Sequence, residues 1–181
     1  MNAIRFQSEV PAMRILENEH RYLSHLMHEW HAIALNLNNN AYSRSEAGEQ
    51  FARLKQLLIA FKPLFIQHAK KEEAFFFPML GRYIGFEQGP LVSIEAEHEE
   101  ILAYIDHFLH HAEGEHTMGE MSAIARDAGE AFEILTVHFV KEESVLFPMT
   151  AQVMSRKDRE TLEGELNTLL TQASDIGGSG S

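Results

Sequence analysis

The amino-acid sequence predicts an all-α fold: an up-down-up-down four-helix bundle with an additional short C-terminal helix. Three observations predict it. Apolar residues recur at helical spacing through five segments, capping boxes and prolines bound those segments, and short loops join the first four. Short connections between long helices make sequence neighbours antiparallel.

The first helix is expected over 11–37. Pro11 suits a first-turn position, where its missing N–H costs nothing, and Asn38-Asn39-Asn40 ends the run. Ser43 and Glu46 make a Ser-x-x-Glu capping box that opens the second helix, which is expected to stop at Pro78. A loop containing Gly81, Gly85 and Gly89 follows. Pro90 opens the third helix, which ends near His111 and Gly114. Thr117 and Glu120 form a second capping box, opening a fourth helix that is expected to stop at Pro148. The fifth helix, over 155–173, is shorter and amphipathic, and Leu162, Leu166, Leu169 and Leu170 are its core-facing residues. The expectation is one domain over 1–175, with the bundle at 11–150 and a flexible tail or cloning scar at 176–181.

Bulk composition narrows the function. With 45% apolar residues in 181, the chain is globular and large enough for a substantial core. No run of 18 apolar residues occurs and no secretory signal is evident, so no membrane partner is expected and a cytoplasmic location is the default. The formal charge of −12 repels phosphate backbones, which disfavours nucleic acid as a partner. The absence of cysteine excludes disulfides, thiolate-held zinc and thiolate-held iron–sulfur clusters. Eleven histidines point instead to imidazole-based metal chemistry.

The chain is two similar halves. The second helix carries His68-Ala-Lys-Lys-Glu72-Glu73-Ala-Phe-Phe-Phe77-Pro78-Met79, and the fourth carries His138-Phe-Val-Lys-Glu142-Glu143-Ser-Val-Leu-Phe147-Pro148-Met149. Seven of those twelve positions are identical. Likewise Leu16-Glu17-Asn18-Glu19-His20 matches Ile94-Glu95-Ala96-Glu97-His98. Each half thus contributes one helix with a single His and one with His-x-x-x-Glu. Positions i and i+4 share a helix face, so His68 can meet Glu72 and His138 can meet Glu142.

Depth along the bundle agrees. His20 and His98 lie nine and eight residues after Pro11 and Pro90, and His68 and His138 lie ten before Pro78 and Pro148. All four imidazoles therefore fall about 12–15 Å from the same bundle end. Buried together without a cation, these groups would be costly. Two cations remove that cost: each takes two histidines, and Glu72 and Glu142 bridge them. The predicted metal ligands are His20, His68, Glu72, His98, His138 and Glu142. Four protein ligands per metal leave room for an oxo or hydroxo bridge and an exogenous ligand. Mixed imidazole and carboxylate donors suit two iron ions, with manganese or zinc allowed. The order His-x-x-x-Glu differs from the Glu-x-x-His of ferritin-like sites.

These motifs, Glu19-His20, His68-x-x-x-Glu72, Glu97-His98 and His138-x-x-x-Glu142, resemble the hemerythrin-like, or HHE cation-binding, family over about residues 11–150. The resemblance implies a non-haem di-iron protein in which the four histidines are terminal ligands and the two glutamates bridge. Position 102 is Leu, where the oxygen-carrying members have a further His. The four-His, two-Glu set is similar to bacterial hemerythrin-like proteins, among them iron-centre repair proteins of nitrosative stress. The additional cysteine-containing domain of those repair proteins has no counterpart in this cysteine-free chain.

The expected role is binding or sensing of oxygen, nitric oxide, peroxide or iron, without a catalytic residue. The alternatives are a di-iron enzyme for nitric oxide or peroxide reduction or iron-centre repair, and a metal-stabilised regulatory module. A homodimer is compatible with each. Glu73 and Glu143 read as a solvated or ion-paired face, with a role beside the ligands as the alternative. Glu17 and Glu95 are candidates to accept a ligand-imidazole N–H. His25, His28, His31, His107, His110, His111 and His116 read as structural or surface, His25 being the first to check as an extra ligand. Phe65 and Leu135 are expected to line a dry pocket around the metals.

Overall fold

The computed structural model describes residues 8–87 and 89–176, the last eight as backbone only. Five helices carry the described chain. Helix α1 is Pro11–Asn38. Helix α2 consists of an α-helical stretch Arg44–Lys71, a π-helical turn Glu72–Phe76 and a further α-helical stretch Phe77–Ile84. Helix α3 is Pro90–His111. Helix α4 repeats the pattern of α2: Met118–Lys141, a π-helical turn Glu142–Leu146, then Phe147–Val153. Helix α5 is Arg156–Ile176. Around the bundle, α1 packs on α2 and α4, and α3 packs on α4 and α2, while α5 lies against α1 and the π-turn of α2.

Both capping boxes form as expected. The Ser43 hydroxyl accepts from Glu46 N–H while the Glu46 carboxylate accepts from Ser43 N–H, and Thr117 and Glu120 do the same. Each box satisfies two of the amides that a helix start leaves without intrahelical partners. Gly85, with φ of 82°, ends α2 in a backbone conformation that favours glycine.

The prolines behave differently from expectation. Pro78 and Pro148 do not stop their helices, which run on to Ile84 and Val153, so Gly81 lies in a helix rather than a loop. A proline breaks an α-helix because it lacks a donor and its ring meets the carbonyl four residues back. Here the preceding turn is wide. Phe77 N–H reaches Glu72 O and Phe147 N–H reaches Glu142 O, each across five residues. Pro78 and Pro148 then sit in the first turn of the next α-helical stretch, where proline is tolerated.

Two apolar cores fill the bundle. The larger runs through Trp30, Phe61, Phe65, Ile105, Phe108 and Leu135 toward the α1–α2 and α3–α4 loops. The smaller lies at the other end, where Met13, Leu16, Phe76, Phe77, Leu91 and Phe147 are covered by Leu162 and Leu166 of α5. Leu169 and Leu170, also expected to pack there, lie outside the residues whose side chains are described, and the tail beyond residue 176 lies outside the described chain. Among the described residues, no helix is long and apolar enough to cross a membrane. Between the two cores lies a layer of ionisable side chains.

Candidate metal centre

The layer contains the six residues picked out by the duplication. His20, His68, Glu72, His98, His138 and Glu142 are all at most 1% exposed. They divide into two groups of four, each with its ligand atoms within 4.8 Å of one another: His20, His68, Glu72 and Glu142, and then His98, His138, Glu72 and Glu142.

Both glutamates belong to both groups, and their oxygens are shared out between them. Glu72 turns Oε1 to His68 Nε2 at 3.0 Å and Oε2 to His98 Nε2 at 3.2 Å. Glu142 turns Oε2 to His20 Nε2 at 3.0 Å and Oε1 to His138 Nε2 at 3.2 Å. Within each group the two imidazoles point Nε2 at Nε2, 3.1 Å apart for His20 and His68 and 3.0 Å for His98 and His138.

The far side of each ring explains why. His20 Nδ1 lies 2.9 Å from Glu143 Oε1, His98 Nδ1 lies 2.7 Å from Glu73 Oε1, and His138 Nδ1 lies 2.9 Å from Glu97 Oε2. A carboxylate only accepts, so each of these Nδ1 atoms carries the proton. His68 Nδ1 faces Glu19 Oε1 at 3.6 Å, an ionic contact longer than a hydrogen bond. In a neutral imidazole with Nδ1 protonated, Nε2 presents a bare lone pair. Two such lone pairs and two carboxylate oxygens then converge in each group. All four oxygens of Glu72 and Glu142 are buried without a hydrogen bond of acceptable geometry. A donor set of this kind fits a cation at the centre of each group, and Glu72 and Glu142 offer oxygens to both.

Without a cation, protons are the other way to balance the charge. Burial alone would depress the His20 pKa, but Glu142, Glu143 and Glu72 outweigh it and hold the imidazole well above its usual range. His68 is raised against the same burial by Glu72 and Glu19, and His98 is pushed up to about 9 by Glu72, Glu73 and Glu142. Glu72 moves the opposite way. Burial would raise it, yet His68, His20 and His98 hold it well below the ordinary carboxylate value.

The outer carboxylates differ from expectation. Glu73 and Glu143 do not form a purely solvated face: each reaches across to the imidazole of the other half, His98 and His20 respectively. Their place next to a bridging glutamate would aim them about 100° away on an α-helix, but both lie within a π-turn. Among the described residues, the Nδ1 atoms of the ligand-type imidazoles face Glu143, Glu19, Glu73 and Glu97 rather than the candidates Glu17 and Glu95. Glu17 instead accepts from Ser8 N–H and pairs with Arg21. Glu19 and Glu97 back His68 and His138, as Glu143 and Glu73 back His20 and His98, and the signal for the first pair was present in the sequence: each directly precedes a repeated histidine. Lys71 binds both oxygens of Glu19 at 2.9 and 3.0 Å, and Lys141 pairs with Glu97.

His25 is exposed and is not part of either group. His31 stacks on Phe132. Phe65 and Leu135 are fully buried, and Phe65 meets His98 edge-on at 5.6 Å. His20 lies stacked against Phe139 at 4.0 Å and Phe147 at 5.5 Å.

The model of the hemerythrin HHE cation-binding domain matches residues 12–150. The chain belongs to this family. The match spans α1 through most of α4 and takes in all six residues of the buried layer. No curated protein matches the chain in a sequence comparison. Family and buried layer together mark this hemerythrin-like protein as metal-binding.

Proposed function

We propose that the chain is a non-haem di-iron protein of the four-His, two-Glu type that binds or senses oxygen, nitric oxide or peroxide. One observation carries this reading: two equivalent sets of four donors share both carboxylates, and each set contains only two imidazoles. His20 and His68 would hold one ion and His98 and His138 the other, with Glu72 and Glu142 spanning both. Four donors per ion leave coordination positions for a small molecule. Iron in such a set supplies reversible binding of diatomic or peroxide ligands and one-electron changes at each ion.

The chain's own residues do the rest. Glu143 and Glu73 orient His20 and His98 and strengthen them as donors through Nδ1–H. Phe139, Phe147 and Phe65 keep bulk water off the imidazoles. A cavity of about 490 Å³ is lined by Ser8, Glu17, Glu143 and Phe147, and the last two touch His20. The cavity therefore lies beside the layer on the His20 side.

The test has two parts. Metal analysis after anaerobic loading with ferrous ion is expected to give two irons per chain, with ligand-to-metal charge-transfer bands after exposure to air. Stopped-flow mixing of the reduced protein with nitric oxide is then expected to give a stable adduct. Failure to take up ferrous ion would overturn the reading. Continuous consumption of nitric oxide with an added electron donor would replace it with an enzymatic one.

A further inference from the structure

We propose a third metal site, independent of the buried layer, in which His107 and His111 of α3 chelate a late first-row divalent cation through their Nε2 atoms. The two residues are four apart on one helix face, both are exposed, and their ring centroids are 4.1 Å apart. Spacing alone does not make a site, because two freely rotating imidazoles gain little from being neighbours. Here both rings are held in the tautomer that a metal requires.

His107 Nδ1 lies 2.5 Å from Asp127 Oδ2 of α4, and His111 Nδ1 lies 2.8 Å from the backbone carbonyl of His107. A carboxylate and a carbonyl only accept, so in both rings Nδ1 carries the hydrogen, and in the neutral ring Nε2 keeps the lone pair. The Asp127–His107 pair is the carboxylate–histidine arrangement that orients ligands and raises their basicity in metal sites. Two adjacent imidazole donors of fixed tautomer suit copper, nickel or zinc better than the oxygen-seeking calcium or magnesium. The overall charge of −12 raises the local concentration of any cation.

The site is not a by-product of the duplication. The positions matching His107 and His111 in the first half are Glu29 and Ile33. Glu29 pairs with Arg53 and Ile33 is buried in the larger core. His107 is nine residues beyond His98, so the two sites are separated by about 14 Å along α3.

The experiment uses the full chain, already holding its two central metals, titrated with Cu²⁺ alone. Expected is one additional tightly bound equivalent per chain, with an electron paramagnetic resonance spectrum showing coupling to two imidazole nitrogens. H107A and H111A should each remove that equivalent while leaving the central metal content and the melting temperature unchanged, since both residues are exposed. H110A should leave it in place. D127A should weaken it about tenfold or more by releasing the His107 ring. The proposal is overturned if no additional equivalent binds, if it persists in the H107A/H111A double variant, or if D127A leaves its affinity unchanged.

Discussion

Four carboxylates stand behind the four buried imidazoles, and they fall into two kinds. Glu19 and Glu97 are neutralised by Lys71 and Lys141, whereas Glu73 and Glu143 meet an imidazole on one side and solvent on the other, with side chains 37% and 33% exposed. Each group of four donors thus has one imidazole backed by a bare anion and one backed by a carboxylate whose charge a lysine cancels. E73Q and E143Q remove the bare charge while keeping shape and hydrogen-bonding capacity. They are expected to weaken metal retention about 10- to 100-fold in a chelator competition and to raise the reduction potential, with little change in fold. Loss of potential shift in both variants would deny these residues any part in tuning the ions. Protons also compete with metal at these imidazoles. Neighbouring carboxylates hold His20 and His68 above the usual imidazole range and push His98 up to about 9, so the metal-free layer favours the protonated rings, and Nε2 must lose its proton before it can bind a cation. Loading at pH 7 is therefore expected to release protons, detectable with a weakly buffered indicator. Apparent affinity should rise as pH climbs toward 9 and fall on acidification.

At the scale of the element, the π-turns Glu72–Phe76 and Glu142–Leu146 unite three features: a bridging-type glutamate, an outer carboxylate on the other half, and a proline that leaves its helix intact. Deleting Ser144, an exposed residue of the second turn, should restore an α-helical register there, turn Glu143 away from His20 and set the Pro148 ring against the Glu143 carbonyl. The expected result is a lower melting temperature and loss of metal from both groups, since Glu142 serves both. Wild-type metal content in that variant would mean that the wide turn has no part in placing Glu142. These turns are also where sequence reasoning stopped short. Caps, helix order and the six buried residues follow from local chemistry: Ser43 and Glu46 satisfy each other, and i, i+4 spacing puts His68 beside Glu72. A π-turn has no comparable local code. Pro78 in sequence is an ordinary helix breaker, and only the hydrogen bond from Phe77 N–H to Glu72 O shows why it is harmless. The same blind spot hid the reach of Glu73 to His98, because an α-helical wheel sends that side chain elsewhere.

For the molecule as a whole, the ionisable layer gathers six of the buried polar side chains of a mainly apolar interior. Removing one partner from a set of buried charges typically costs about 3–5 kcal/mol. E72A should therefore both abolish metal binding and lower stability well beyond an exposed Glu→Ala change, measured by thermal unfolding with and without metal. Restoring metal to the wild-type protein should raise its melting temperature, because a cation bound only by the folded state stabilises it by mass action. The position of the layer has a consequence for motion. It lies between a large apolar core and a small one, which form separate clusters at the two ends of the bundle. The ions would then act as rivets between two cooperative units. Once they are withdrawn, hydrogen exchange should show the end built from Met13, Leu91, Phe147 and Leu166 opening well before the end built around Trp30 and Phe108 lets go.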